Sequence, residues 1–256
     1  MNLKKIINFL DETLNIGELK NIDNSLNGLQ VSVDDDKKEI KKIGFAVSAS
    51  IEVFEKAKKE KCDLIVVHHG LIWEKAPIKN ILRKRIKFLL ENNIALYAAH
   101  LPLDRHEEYG NNVIMAKMLG LKVIEKFGNY KGTEIGFMGL FDKDIELKEL
   151  LDKVEKITGQ RPKTIKFGKD KVKKIAIVSG GGGSCMDEAI EKNVDVFLTG
   201  EVVLSNYDSA RDSSINLVYG GHYATETLGV NALERLINEK FNIDTVFIDI
   251  ENYDKF

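Results

Sequence analysis

Apolar residues along this chain follow two rhythms that alternate from end to end. One is the mixed apolar and charged spacing of an amphipathic helix, as in MNLKKIINFLDETL at the start. The other is a short unbroken run closed by charge or glycine, as in DLIVVHHG, residues 63–70. Such runs suit strands buried on both faces of a parallel sheet. After a loop, NIDNSLNGLQ, the pattern predicts a short strand near Gln30–Val33 and the charged, solvated DDDKKE turn. KKIGFAVS then reads as strand, IEVFEKAKKEK as helix and DLIVVHHG as strand. The basic NILRKRIKFLLENN reads as a helix with one solvated face, IALYAAH as a strand, and NNVIMAKMLG as a helix whose Met residues fill core. Alternation of this kind implies an α/β layered fold.

The second half repeats the plan of the first. KKIAIVSGGGGSCMDEAIEKNVDVFLTGE overlays KKIGFAVSASIEVFEKAKKEKCDLIVVHHG, each reading strand, helix, then an Asp-led buried strand. SINLVYGGHYATE likewise overlays NIALYAAHLPLD: a strand, two small residues, a His, and a carboxylate four positions later. The expectation is two similar α/β units, 1–124 and 125–256, facing each other about a pseudo-twofold axis. The stretch from Val123 to Lys171 adds a strand, TEIGFMGLF, and a helix, ELKELLDKVEKITG.

Composition narrows the function classes. The 256 residues are 43% hydrophobic and 30% charged, enough to bury a sizeable core. A net charge of −2 gives no electrostatic case for a dedicated nucleic-acid binder. Only Cys62 and Cys185 occur, far apart, which argues against a disulfide framework or a thiolate zinc site and points to a cytoplasmic location. No run approaches the length of a membrane span.

Four of the five histidines, His68, His69, His100 and His222, end predicted buried strands, where ligands of parallel sheets gather. His106 lies in a polar loop and reads as a surface residue. Asp104 follows His100 by four positions, and Glu226 follows His222 by four. In HLPLD the proline points to a loop that folds the carboxylate back. In HYATE a helix is expected from about Ala224, with Glu226 in its first turn, where negative charge is favoured. Adjacent strand residues face opposite ways, so His68 and His69 suit two ions side by side more easily than one. Carboxylates can bridge such a pair, and nitrogen and oxygen donors without sulfur suit Zn, Mn, Fe, Ni or Co. Gly180–Gly183 lacks the ending of a phosphate loop and reads as a tight turn permitting close approach.

HHG, AAHLPLD and GGHYATETLGV, with DNSLNGLQV before them and TGE at Thr199–Glu201, resemble the Nif-three-like (YbgI-type) family, the GTP cyclohydrolase I type 2 homologues. The resemblance spans nearly the whole chain, in its short form without an inserted domain. It implies a centre of two divalent metal ions in the cleft between the units, with His68, His69, Asp104, His222 and Glu226 as ligands. His100 and Glu201 match positions beside the metals, as proton-transfer groups or as a buried hydrogen-bonded pair that orients the ligands. The opening motif departs from the family form by an extra residue between Ser25 and Gly28. The family also implies a homohexamer, and its label suggests ring opening of GTP at C8. The expected function is therefore a metal-dependent hydrolase of a nucleotide or phosphoester, with an anionic small molecule as substrate. The alternative is a non-enzymatic metal-binding ring, or a scaffold for nucleic-acid or protein partners.

Overall fold

The computed structural model describes residues 1–33, 38–73 and 77–250, so residues 34–37 of the DDDKKE turn lie outside the described residues. Internal contacts divide the described residues into two units: Met1–Leu103 with residues 230–250, and Asp104–Gly229. This division by contact differs from the expected repeat halves, whose duplication remains a proposal.

In the first unit, α1 (Leu3–Leu14) begins where the Asn2 side chain accepts the Lys4 N–H. It ends on Asn15 in the left-handed conformation, φ 47°. Leu3, Ile6, Ile7, Leu10 and Leu14 form its buried stripe. There follow β1 (Gly28–Val31), β2 (Lys42–Ser48), α2 (Ile51–Lys59), β3 (Leu64–His69), α3 (Asn80–Glu91) and β4 (Ala95–Ala98). The sheet runs β1-β4-β3-β2 and is extended past β2 by a late strand, Asp244–Phe247. β2, β3 and β4 are parallel, registered Ile43 to Leu64 to Ala95, while β1 is an antiparallel edge. The apolar run of β3 explains its central place: Leu64–Val67 are all buried. Val53, Phe54 and Leu89 from α2 and α3 pack with Ile65, Val67 and Leu96 in one cluster. Truncating a buried Phe such as Phe54 costs about 3–5 kcal/mol.

A short helical turn, α4 (Leu101–Asp104), leads to α5 (Asn111–Leu119), β5 (Lys122–Tyr130), β6 (Thr133–Glu146), α6 (Leu147–Thr158), β7 (Lys163–Ile165) and β8 (Lys171–Val178). A 3-10 turn (Gly182–Cys185), α7 (Met186–Glu191), β9 (Val196–Thr199), α8 (Asn206–Asp212), β10 (Asn216–Tyr219), α9 (His222–Phe241) and β11 (Asp244–Phe247) complete the chain. The second sheet has the order β5-β6-β8-β9-β10-β7, with β8, β9 and β10 parallel and registered Ile175 to Val196 to Asn216. β5 and β6 form a hairpin whose two-residue turn, Lys131-Gly132, has both φ values positive, 51° and 87°. Met115 fills core as expected, whereas Met118 is 55% exposed.

The proline of HLPLD does not prevent a helical turn. Pro102 is the second residue of α4, and a missing N–H costs little in a first turn.

Candidate metal centre

In the first unit the β3–β4 ladder ends at Val67 opposite Ala98, and the β2–β3 ladder ends at Ser48 opposite His69. His68 and His69 are therefore the last two residues of β3, with His69 still paired to Ser48. Their ring centroids are 4.6 Å apart, and the His100 ring lies 5.1 Å from His68 and 5.6 Å from His69. One donor atom from each of the three imidazoles falls within 4.8 Å of the others.

Each ring is oriented through Nδ1. His68 donates to the Ala99 carbonyl (2.9 Å), His69 meets the Ser48 hydroxyl (3.0 Å), and His100 meets Asp23 Oδ1 (2.8 Å). Asp23 also accepts from the Ser25 and Leu101 amides and the Asn27 side chain, while Asn27 Oδ1 accepts the His100 amide at 2.7 Å. Burial works to raise the Asp23 carboxyl, but the His100 hydrogen bond and charge, with the other donors, outweigh it and hold the group below its usual value. The NIDNSLN loop thus clamps His100. Half-exposed Trp73 donates its indole N–H to Gly70 O and stands edge-on to His100 at 4.9 Å.

In the second unit His222 is the first residue of α9, two positions earlier than expected. Gly221, φ 93°, turns the chain just before it, and the Thr225 amide already bonds to Gly221 O. Glu226 consequently sits one full turn after His222 on the same helix face. His222 Nε2 lies 3.0 Å from Glu226 Oε1, and its Nδ1 lies 2.5 Å from Glu201 Oε1. Burial alone would lower the His222 pKa, yet the flanking Glu226 and Glu201 carboxylates push it up to about 9. Gly180, φ 59°, closes the other side of the pair. A Cβ there would meet Glu226 Oε1 at 2.2 Å and His222 Nε2 at 3.0 Å. Its carbonyl receives the amides of Gly200 and Glu201, so the glycine turn shapes this cluster.

Asp104, also of the second unit, is buried and accepts from Asn111 Nδ2 (2.8 Å) and Ser179 Oγ (2.9 Å). Asn112 ties the same region together, accepting the Ser179 amide and donating to the carbonyls of Asp104 and Ile135. The sequence reading therefore brings His68, His69 and His100 together in one unit and Glu201, His222 and Glu226 in the other. His106 is half-buried and caps a turn, its Nδ1 accepting the Glu108 and Tyr109 amides.

The donors suit a borderline divalent cation: imidazole nitrogens and carboxylates, with no thiolate nearby. Burial pushes both thiols, Cys62 and Cys185, up to about 11, which disfavours the thiolate form. Sequence reasoning missed the residues that hold the donors: Asp23, Asn27, Ser48, Asn111, Asn112 and Ser179. One signal was present, the Asn pair opening the apolar helix of NNVIMAKMLG, since both are fully buried.

The family model for Duf34/NIF3 (NGG1p interacting factor 3) matches residues 1–253. A Pyrococcus horikoshii protein named GTP cyclohydrolase 1 type 2 homolog is 45% identical over 97% of this chain and 98% of its own length. An Archaeoglobus fulgidus protein of the same name is 42% identical over 98% of each chain. The solved structure of protein ybgI, of unknown function, is 34% identical with a TM-score of 0.90, covering 98% of this chain and 99% of that one.

Proposed function

The chain belongs to the Duf34/NIF3 family, and from that premise we propose that it holds two divalent metal ions and hydrolyses a nucleotide or phosphoester. The observation that carries the reading is the gathering of donors at the carboxyl ends of parallel strands: His68 and His69 closing β3, His100 just after β4, and His222 with Glu226 after β10. His68, His69, Asp104, His222 and Glu226 would be the ligands. When bound, such a pair of ions supplies an acidified water and a positive field for an electrophilic carbon or phosphorus.

The chain's own residues set the charge. Three neutral imidazoles and two carboxylates leave about two net positive charges on a pair of divalent ions, which favours an anionic substrate. Glu201, bonded to His222 Nδ1, would fix that ring and hold or move a proton beside it. His100, fixed by Asp23, would do the same in the first unit. The relatives' names point to GTP as the first substrate to try. A homohexamer in the cytoplasm completes the reading, the oligomer on family likeness and the compartment on cysteine usage.

Metal analysis of protein purified without added metal comes first. Turnover of GTP and of a generic phosphodiester is then compared between metal-loaded and chelator-stripped protein from pH 5 to 9. Activity confined to the loaded protein is expected. Equal turnover in both refutes the metal mechanism, and none in either turns the reading to a non-enzymatic metal-binding ring.

A further inference from the structure

We propose that a cleft between α1 and the C-terminal end of α9 binds a small aromatic anion of the mononucleotide class, at a site separate from the metal centre. Both walls belong to the first unit. The cleft encloses about 460 Å³, within the range of roughly 300–1,000 Å³ of small-molecule sites. It lies at the amino ends of the strands. Asn2 bridges Glu39 just before β2, and Phe241 precedes β11, whose Asp244 pairs with Lys42 at the start of β2. His68 and His69 stand at the opposite, carboxyl end of β3.

Charge is the first argument. Lys4 and Lys5 of α1 and Lys240 of α9 line the cleft, against the single carboxylate of Glu12. Among the described residues, neither Lys4 nor Lys5 has an ion pair or a side-chain hydrogen bond. Lysines elsewhere do find carboxylates: Lys42 pairs with Glu60, Lys122 with Asp142 and Lys148 with Asp152. Cations in a first helical turn also oppose the helix dipole, so the stability of α1 does not call for them. The three ammonium groups leave a positive field in the cleft that an incoming anion would neutralise.

The floor is the second. Phe9 and Phe241 meet edge to face, with centroids 5.2 Å apart, and both rings are half-buried. Lys240 Nζ lies 5.4 Å from the Phe9 centroid, so cation and ring already share one place. Asn8, exposed on the α1 wall, adds an amide that both donates and accepts. Aromatic rings beside cations suit a base that stacks and a phosphate that pairs. An inorganic anion would use the lysines and leave the rings idle, while a neutral aromatic would do the reverse. The combination selects a ligand with both parts.

The test uses the full chain as purified and again after chelation, so that binding which survives chelation is independent of the metal centre. AMP is the probe, with inorganic phosphate and adenosine as its two halves, followed by calorimetry. AMP should bind at least about 10-fold more tightly than either half, since stacking and phosphate pairing each add affinity. Lys4→Gln combined with Lys5→Gln should weaken AMP about 10-fold and reduce its salt dependence. Phe9→Leu should erase the preference for AMP over phosphate. Glu12→Gln should tighten binding, a change of sign that general destabilisation does not give. Lys148→Gln combined with Lys153→Gln, on α6, is the charge-matched control and should leave AMP affinity unchanged. Circular dichroism checks folding. No AMP binding at millimolar concentration overturns the proposal, as does binding that disappears on chelation. Equal affinity for AMP and phosphate, or unaltered affinity in the Lys4 and Lys5 double variant, overturns it too. Each of these leaves the metal reading standing, and purified protein without metal would leave the cleft standing.

Discussion

The parallel triplets β2-β3-β4 and β8-β9-β10 share a framework and differ at their ends. In each, an aspartate just before the middle strand uses its Oδ2 to accept two consecutive lysine amides at or near the start of the preceding strand. Asp63 takes Lys41 and Lys42 (2.8 and 3.4 Å), and Asp195 takes Lys173 and Lys174 (2.9 Å each). Each middle strand is entered through a left-handed residue, Lys61 (φ 59°) and Asn193 (φ 50°). At the ends of the ladders the registers put Ser48 against Gly180, His68 and His69 against Gly200 and Glu201, and His100 against Gly221, one residue before His222. One end is rich in imidazole, while at the other a lone imidazole sits between two carboxylates. Backbone amides must be satisfied in both triplets, so the framework is constrained. Side chains at the last rungs carry no such backbone constraint, so the two ends can differ in chemistry.

The widest separation of ends from framework should come from the donors. His68→Ala and His222→Ala are each expected to lose bound metal with native circular dichroism, because neither supports a ladder. Unchanged stoichiometry in both would show that they are not ligands. Next in size is Gly180→Ala, where a left-handed backbone alone costs about 1–2 kcal/mol and the new Cβ displaces Glu226. Melting should fall by several degrees, whereas Ser48→Ala at the matching position should change it little. Equal melting shifts would remove the distinction between the two ends.

The aspartates sharpen the shared half of the comparison. Asp63→Asn and Asp195→Asn should each cost about 1 kcal/mol by denaturant unfolding, matched within about 0.5. A large inequality would mean that the two frameworks are not equivalent. The smallest effect is one of pH, in metal-stripped protein. His222 is raised from 6.5 to about 9, so its contribution is complete below about pH 6.5 and disappears as pH rises through about 9. Melting temperature should decline across that window, and His222→Gln should flatten the decline. An identical slope in the variant would assign the pH effect elsewhere.

Much of this was legible in one dimension. The run LIVV required a central buried strand, the lysine pairs and aspartates marked matching strand starts, and strand-ending histidines announced the site. Those features are local: burial, periodicity and chain reversal act over a few residues. The sequence could not show that the His68 and His69 rings come within 4.6 Å of each other, since alternation of faces predicts divergence. Nor could it show that His222 opens its helix, which depends on the turn at Gly221. The partners of the donors were least visible. Asp23 and His100 are 77 positions apart, and Ser179 and Asp104 are 75 apart. Periodicity fixes which face a residue takes, but a hydrogen bond between distant residues exists only once the layers have packed. The sequence alone thus determined the α/β plan and most of the candidate donors, and the tertiary structure decided how each donor is aimed.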